Sequence, residues 1–256
     1  MQFHIIIPAR YASTRLPGKP LRLLAGKPIL QHVFEQAARS KAKSVIIATD
    51  DDSIKQFAES IGAKVCMTSA LHTSGTERLA EVIANNNFTE DDIILNLQGD
   101  EPLMPPACLD QVASLLLNNT DCKMASLCEP ISTAEDLFDP NVVKVVLDKH
   151  QHAIYFSRAP VPWHRDAFRD NRRALPVEAD IYFRHIGLYA YRAGFIKAYL
   201  AMAPSPIEQV ESLEQLRVLW HGDKIAMAIA QEIPGPGIDT EEDLQKVEAM
   251  LASHNL

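Results

Sequence analysis

The apolar run FHIII at 3–7 gives way to a loop that holds Arg10, Arg15 and Lys19 around Pro17, Gly18 and Pro20. The first acidic residue of the chain is Glu35, and ahead of it Arg22 and Lys27 add further positive charge. Cations packed directly after a buried strand suit a small anionic ligand; a basic surface loop is the plainer alternative. The loop is neither GxGxxG nor GxxxxGK[ST]. Ser13 stands where a P-loop needs its first glycine, and Pro20 follows the lysine where Ser or Thr should be. A P-loop cradles phosphate with backbone amides and needs glycines to do so. This loop offers side-chain cations on a proline-stiffened frame instead.

Two carboxylates could complement those cations. In DIILNLQGDEPLMP (92–105) an apolar run ends at Gln98-Gly99-Asp100-Glu101. Gly99 lets the backbone turn sharply and leaves Asp100 at the strand's carboxyl edge, where it can help hold a divalent metal or simply close an Asx-type turn. In IPGPGIDTEEDL (233–244) Thr240 can cap the following helix, with Asp243 completing a capping-box pattern, which frees Asp239 from that duty. Asp239 is thereby available to meet Asp100, although nothing in the sequence alone brings the two together. In TDDDS (49–53) Asp52 reads as a helix N-cap and receives no catalytic role. His150 and His152 sit in a turn with no further ligands at metal spacing, so a solvated pair is expected. No GxSxG or similar nucleophile setting is present, which suits direct attack by a substrate oxygen.

The elements that would position these residues alternate. Strands are expected at 3–7, 44–49, 63–68, 92–98 and 124–128, and helices at 28–40, 52–62, 76–86 and 106–118. The strands are continuously apolar, as in a parallel sheet covered on both faces, so a three-layer doubly wound α/β fold with ligands at strand carboxyl ends is expected. The rhythm then changes. Residues 142–158 read as a hairpin around Asp148-Lys149-His150-Gln151, a polar loop runs to about 180, and 184–192 reads as a strand. A helix at 206–220, a strand at 224–232 and a closing helix at 240–252 follow. The whole of 1–256 reads as one domain, with an antiparallel lobe inserted at about 130–205.

The chain has 256 residues and a net charge of −8, from 25 basic and 33 acidic side chains. That balance disfavours nucleic acid and anionic membranes as partners. Four cysteines show no CxxC spacing, and no run reaches a membrane span, so a cytoplasmic protein with reduced thiols is expected.

PARYASTRLPGKPL, HTSGTERLAEV (72–82), NLQGDEPLMP, YFSRAPVPW (155–163), RHIGLYAYR, ESLEQLRVLW and GIDT together resemble the 3-deoxy-manno-octulosonate (Kdo) cytidylyltransferases, in order over nearly the whole chain. The resemblance implies a Rossmann-like nucleotidyltransferase that transfers CMP from CTP to Kdo, releasing pyrophosphate, for lipopolysaccharide or capsule. It implies that Arg10, Ser13, Arg15 and Lys19 hold the triphosphate and that Pro8, Ala9, Gly75, Arg78 and Gln98 line the cytidine pocket. It assigns Mg²⁺ to Asp100 and Asp239, with Lys19 and Arg15 catalytic beside them. Gln98, Arg158, His185, Tyr189, Glu214 and Gln215 would take the sugar acid, Arg158 offsetting its carboxylate. A homodimer paired through the inserted lobe is implied as well. Taken alone, His185 and Tyr189 could equally be one face of a half-buried strand, and Glu214 and Gln215 part of a helix packed by Ile207, Val210, Leu213 and Leu216. A cytidylyltransferase for another acidic sugar, a glycosyltransferase using a finished nucleotide sugar, and a non-catalytic nucleotide-binding regulator remain as rivals. The second usually carries Asp-x-Asp where this chain has Gly-Asp-Glu.

Overall fold

The computed structural model describes residues 2–12, 15–72, 74–170, 175 and 179–254. Ser13, expected at the triphosphate, lies outside the described residues, as does Thr73 of the HTSGTERLAEV segment.

The first half follows the expected alternation. Strands β1 (Phe3–Ala9), β4 (Ser44–Thr49), β5 (Lys64–Met67) and β6 (Ile93–Asn96) pair in parallel, with β1 between β4 and β6. A two-stranded hairpin, β2 (Leu23–Leu24) with β3 (Lys27–Pro28), stands apart from this sheet. Connecting helices are α1 (Ile29–Ala38), α2 (Asp52–Ser60), α3 (Gly75–Ala84) and α4 (Pro106–Asn118). Successive side chains of β1 go to opposite faces, as the two-residue strand period requires. Phe3, Ile5 and Ile7 pack with Ile29 and Val33 of α1, Ile54 of α2 and Leu109 of α4. Ile6 and Ile94 pack on the other face with Leu79 and Val82 of α3.

The second half adds β7 (Met124–Pro130), α5 (Ala134–Phe138), β8 (Lys144–Leu147), β9 (Ala153–Ser157), α6 (Ala167–Asp170), β10 (Phe183–Arg192), α7 (Ala193–Ala201), α8 (Pro206–Glu211), α9 (Leu216–Trp220), β11 (Ile225–Ile229) and α10 (Glu241–His254). The sheet order is β11-β7-β10-β6-β1-β4-β5, and β10 runs antiparallel to both β6 and β7. The segment 184–192 is therefore a central strand of the main sheet, while the expected hairpin, β8 with β9, is attached to the start of β10. The parallel sheet with one reversed strand and helices on both faces is the expected fold class.

Two expectations need correction. The helix expected over 206–220 is broken: α8 ends at Glu211, the next residue, Ser212, has a left-handed backbone (φ +52°), and α9 begins at Leu216. Val210, expected to pack, is 87% exposed. The cap of α2 is Asp51, which accepts from the backbone N–H groups of Ser53 (2.8 Å) and Ile54 (3.0 Å); Asp52 is already the first helical residue. Helix α7 has no counterpart in the sequence reading, because AGFIKAYLA is apolar nearly all round and shows no stripe.

A bulge in β10 shapes the interior. Ile186 pairs with Leu127 and Tyr189 with Ser126, so Gly187 and Leu188 are extra residues without register partners on β7. His185 and Tyr189 are thereby only two register steps apart, on one face, with ring centroids 5.3 Å from each other. Ser126, fully buried, holds the bulge: its Oγ lies 2.8 Å from the Leu188 carbonyl and 3.0 Å from the Ile186 carbonyl. Ser126→Ala leaves those buried carbonyls short of a donor, and a loss of about 1–3 kcal/mol is expected in urea unfolding. A loss below about 0.3 kcal/mol would show that the bulge holds without the hydroxyl.

Candidate active site

Residues 15–21 of the loop after β1 are held in place by contacts visible in their sequence. Leu16 is buried in the core, Gly18 is left-handed (φ +65°) with its N–H on the Tyr11 carbonyl, and buried Pro20 sits in a single 3₁₀ turn, Lys19–Leu21. Lys19 is thus presented inward, its side chain 13% exposed, while Arg15 stays in solvent at 66%.

The acidic residues reach Lys19 from two distant segments. Gly99 lies so close to β1 that a Cβ there would fall 2.8 Å from the Pro8 carbonyl oxygen. The backbone then turns, and Asp100 accepts a hydrogen bond on its main-chain carbonyl from Ile238 N–H at 2.9 Å. The Pro-Gly-Pro-Gly segment can approach this turn because Gly235 lacks a Cβ, which would meet Leu103 at 2.5 Å. Thr240 and Asp243 cap α10 reciprocally, through Asp243 N–H to Thr240 Oγ1 (3.2 Å) and Thr240 N–H to Asp243 Oδ2 (2.9 Å). Asp239 is left free to turn inward. Lys19 Nζ lies 2.7 Å from Asp100 Oδ2 and 2.8 Å from Asp239 Oδ1, and Arg15 is 2.9 Å from Asp239 Oδ2. Burial alone would lower the Lys19 pKa, but the charge of Asp100 and hydrogen bonds to both carboxylates raise it above the ordinary lysine value. Next door, burial and the Asp100 charge push the Glu101 carboxyl up to about 7.

Around this cluster opens a cavity of about 350 Å³. Pro8, Ala9, Arg10, Arg15 and Lys19 line it from β1 and its loop. Gly75, Arg78, Gln98, Asp100 and Asp239 close the other sides. Arg78 is fully buried and is held by Asp50 Oδ2 at 3.1 Å and by the Thr68 hydroxyl. Sequence reasoning gave Asp50 no role; the buried arginine of α3, brought to it only by tertiary contact, was the missing signal.

A second cavity of about 350 Å³ adjoins the first, and Gly75 and Gln98 line both. His185 and Tyr189 enter it from β10, and Glu214 and Gln215 from the turn that the break after α8 creates. Thr76 Oγ1, at the start of α3, donates to Glu214 Oε2 at 3.2 Å. Burial pushes His185 down to about 3, so it is neutral at working pH. Its Nε2 is 2.9 Å from Ser126 Oγ, the same hydroxyl that lies against the bulge carbonyls. Burial raises the Tyr189 phenol as well, keeping it protonated.

Arg158 does not line either cavity. Its Nε donates to the Glu211 carbonyl (2.8 Å) and its Nη1 to the Pro140 carbonyl (3.0 Å). The arginine at the second cavity is Arg184, half exposed, with Nε 3.4 Å from Glu129 Oε1. It precedes His185 in RHIGLYAYR, but alternation along a strand gave no reason to turn it to the same cavity. Away from both, His152 meets Asp121 and Cys122, a grouping the spacing did not reveal, yet Lys224 Nζ sits 2.6 Å from Asp121 and supplies its counter-charge.

A sheet whose strand ends gather cations and carboxylates around two joined cavities suits a nucleotidyltransferase. The chain belongs to the cytidylyltransferase family, which matches residues 4–225. The 3-deoxy-manno-octulosonate cytidylyltransferase of Pasteurella multocida (strain Pm70) is 57% identical over 254 residues, 97% of this chain and 98% of the relative. That of Haemophilus influenzae (strain 86-028NP) is 53% identical over 255 residues, 99% of this chain and 100% of the relative. Within the family the chain therefore falls among the 3-deoxy-manno-octulosonate cytidylyltransferases. The solved structure of a CMP:2-keto-3-deoxy-manno-octonic acid synthetase complexed with CTP matches with a TM-score of 0.88 at 40% identity, covering 99% of both chains. A 4-diphosphocytidyl-2C-methyl-D-erythritol synthase from Anaerococcus prevotii DSM 20548, at 14% identity, TM-score 0.60 and coverage of 98% of this chain and 99% of its own, shares the fold.

Gly99→Ala drives a methyl group into the Pro8 carbonyl, so β1 and the Asp100 turn must separate. CTP affinity by calorimetry is expected to fall at least about tenfold, and an unchanged affinity would contradict this geometry.

Proposed function

We propose that this protein transfers CMP from CTP to Kdo, giving CMP-Kdo and pyrophosphate. The observation that carries the reading is the junction of the two cavities at Gln98 and Gly75, beside the Lys19–Asp100–Asp239 cluster. A nucleotide in the first cavity and a sugar acid in the second would meet there.

The reaction needs a weak nucleophile, the anomeric hydroxyl of Kdo, to attack the α-phosphorus of CTP. A new oxygen–phosphorus bond forms, the bond to the β-phosphate bridging oxygen breaks, and the hydroxyl proton is lost. The chain's residues position two anions against each other and offset charge growing on the leaving pyrophosphate. Lys19 and Arg15 are the cations beside the carboxylate pair, and Arg10 adds charge along the same wall. Ser13 is retained as a triphosphate contact on the resemblance alone. For the Kdo carboxylate, Arg184 is the better placed arginine, since the guanidinium of Arg158 is committed to main-chain carbonyls.

Asp100 and Asp239 would hold Mg²⁺. Their fit rests on two hard carboxylate oxygens already converging on one cation, the ammonium of Lys19. When bound, Mg²⁺ supplies neutralisation of phosphate charge and a lowered pKa for the attacking hydroxyl. We further read the chain as a cytoplasmic enzyme of lipopolysaccharide synthesis and as a homodimer paired through the inserted segment that precedes β10. Ile154, Trp163 and Ile181, exposed on that segment, support the pairing.

The test is pyrophosphate release that requires CTP, Kdo and Mg²⁺ together. Asp100→Asn is expected to lower turnover by about 10²–10³ or more while CTP still binds, because Arg10, Arg15 and Lys19 remain. Near-native turnover in that variant would overturn the metal assignment, and release with a sialic acid but not Kdo would reassign the substrate.

A further inference from the structure

Asn96 is the last residue of β6, and the other three members of that strand are buried apolar side chains. An asparagine is a poor choice for a central strand, since its amide neither packs well nor favours extended backbone. The sheet does not call for it: the Asn96 backbone is paired to Ile6 on one side and Tyr189 on the other. Only 3% of the residue is exposed, and Oδ1 has no hydrogen-bond partner among the described residues. Buried polar atoms are nearly always paired, and an exception on a residue that lines a cavity is most simply completed by what the cavity binds.

The place of the side chain identifies that ligand's chemistry. Asn96 lines the second cavity, and a Cβ built on Gly75 would lie 3.9 Å from both Asn96 Nδ2 and Gln98 Nε2. It therefore stands beside the two residues common to both cavities. Gln215 lines the same cavity, is 5% exposed, and has an Nε2 likewise without a partner among the described residues. Each of these two cavity-lining residues thus carries one unmet polar atom, an acceptor on Asn96 and a donor on Gln215, both buried. A carboxylate or phosphate cannot donate to Oδ1, whereas a hydroxyl both donates and accepts.

We infer that Asn96 is a specificity-determining residue, whose Oδ1 accepts a hydrogen bond from one hydroxyl of the sugar acid while Gln215 Nε2 donates to an oxygen of the same ligand. This rests on the reading that the second cavity takes the sugar acid. A site built so rejects an analogue lacking the hydroxyl, because the buried amide is then left unpaired.

The experiment measures pyrophosphate release with Kdo and with its 4-, 5-, 7- and 8-deoxy analogues, for the unsubstituted enzyme and for Asn96→Ala. One analogue is expected to lose about 10- to 100-fold in kcat/KM with the unsubstituted enzyme. That loss is expected to shrink below about threefold in Asn96→Ala, with the KM for CTP held within about twofold. Asn96→Leu, which keeps the volume and lacks the acceptor, serves if the alanine variant does not fold. The inference is overturned if no analogue loses more than about threefold with the unsubstituted enzyme, or if the loss persists undiminished in the variants. If Kdo itself is turned over normally, either result overturns the role of Asn96 alone. No turnover of Kdo by the unsubstituted enzyme overturns the functional reading along with it.

Discussion

One ammonium group organises the site. Lys19 Nζ is within hydrogen-bond reach of carboxylates 81 and 220 residues further along the chain. Two carboxylates at such proximity would repel each other and drift apart, or one would take up a proton. With Lys19 between them both remain available at the carboxyl end of the sheet. The structure elsewhere serves this contact: Leu16 and Pro20 fix the lysine's turn, Gly99 brings Asp100 against β1, and the Ile238–Asp100 backbone hydrogen bond delivers Asp239.

The second cavity depends on a different constraint, the burial of polar groups in the middle of a sheet. The two-residue bulge in β10 brings His185 and Tyr189 together, and the Ser126 hydroxyl lies within hydrogen-bond reach of the Ile186 and Leu188 carbonyls there. The left-handed turn at Ser212 points Glu214 and Gln215 into the same space. Neutral His185, protonated Tyr189 and the amides of Asn96, Gln98 and Gln215 make a wall of neutral hydrogen-bonding groups. Such a wall suits a polyhydroxylated ligand, and the half-exposed Arg184 adds the charge that an acid group requires.

The sequence made some of this legible and hid the rest for physical reasons. Parallel strands announced themselves because both faces are covered, and the Thr240–Asp243 cap was readable because capping is local. Asp239 could be seen as uncommitted on that basis. The place of β10 was hidden, since nothing local distinguishes a strand inserted between β6 and β7 from one on a separate lobe. The break at Ser212 was hidden as well: no glycine or proline marks it, and the apolar positions continue a helical rhythm across it. Asp50 and Asn96 look ordinary in isolation and acquire meaning only beside buried Arg78 and beside a cavity. Arg158, the arginine the resemblance assigned to the sugar, is bound to main-chain carbonyls, a commitment that depends on tertiary contact.

The central claim is that Lys19 and Asp100 act as one unit in the folded protein before any ligand arrives. The most direct measurement is a double-mutant cycle on stability, comparing Lys19→Met, Asp100→Asn and the double variant by urea unfolding without nucleotide or metal. The account predicts that the two single losses together exceed the loss of the double variant by at least about 1 kcal/mol, the scale of a hydrogen bond between charged partners. Losses that add within about 0.3 kcal/mol would contradict it, because the lysine would then not be holding the carboxylate.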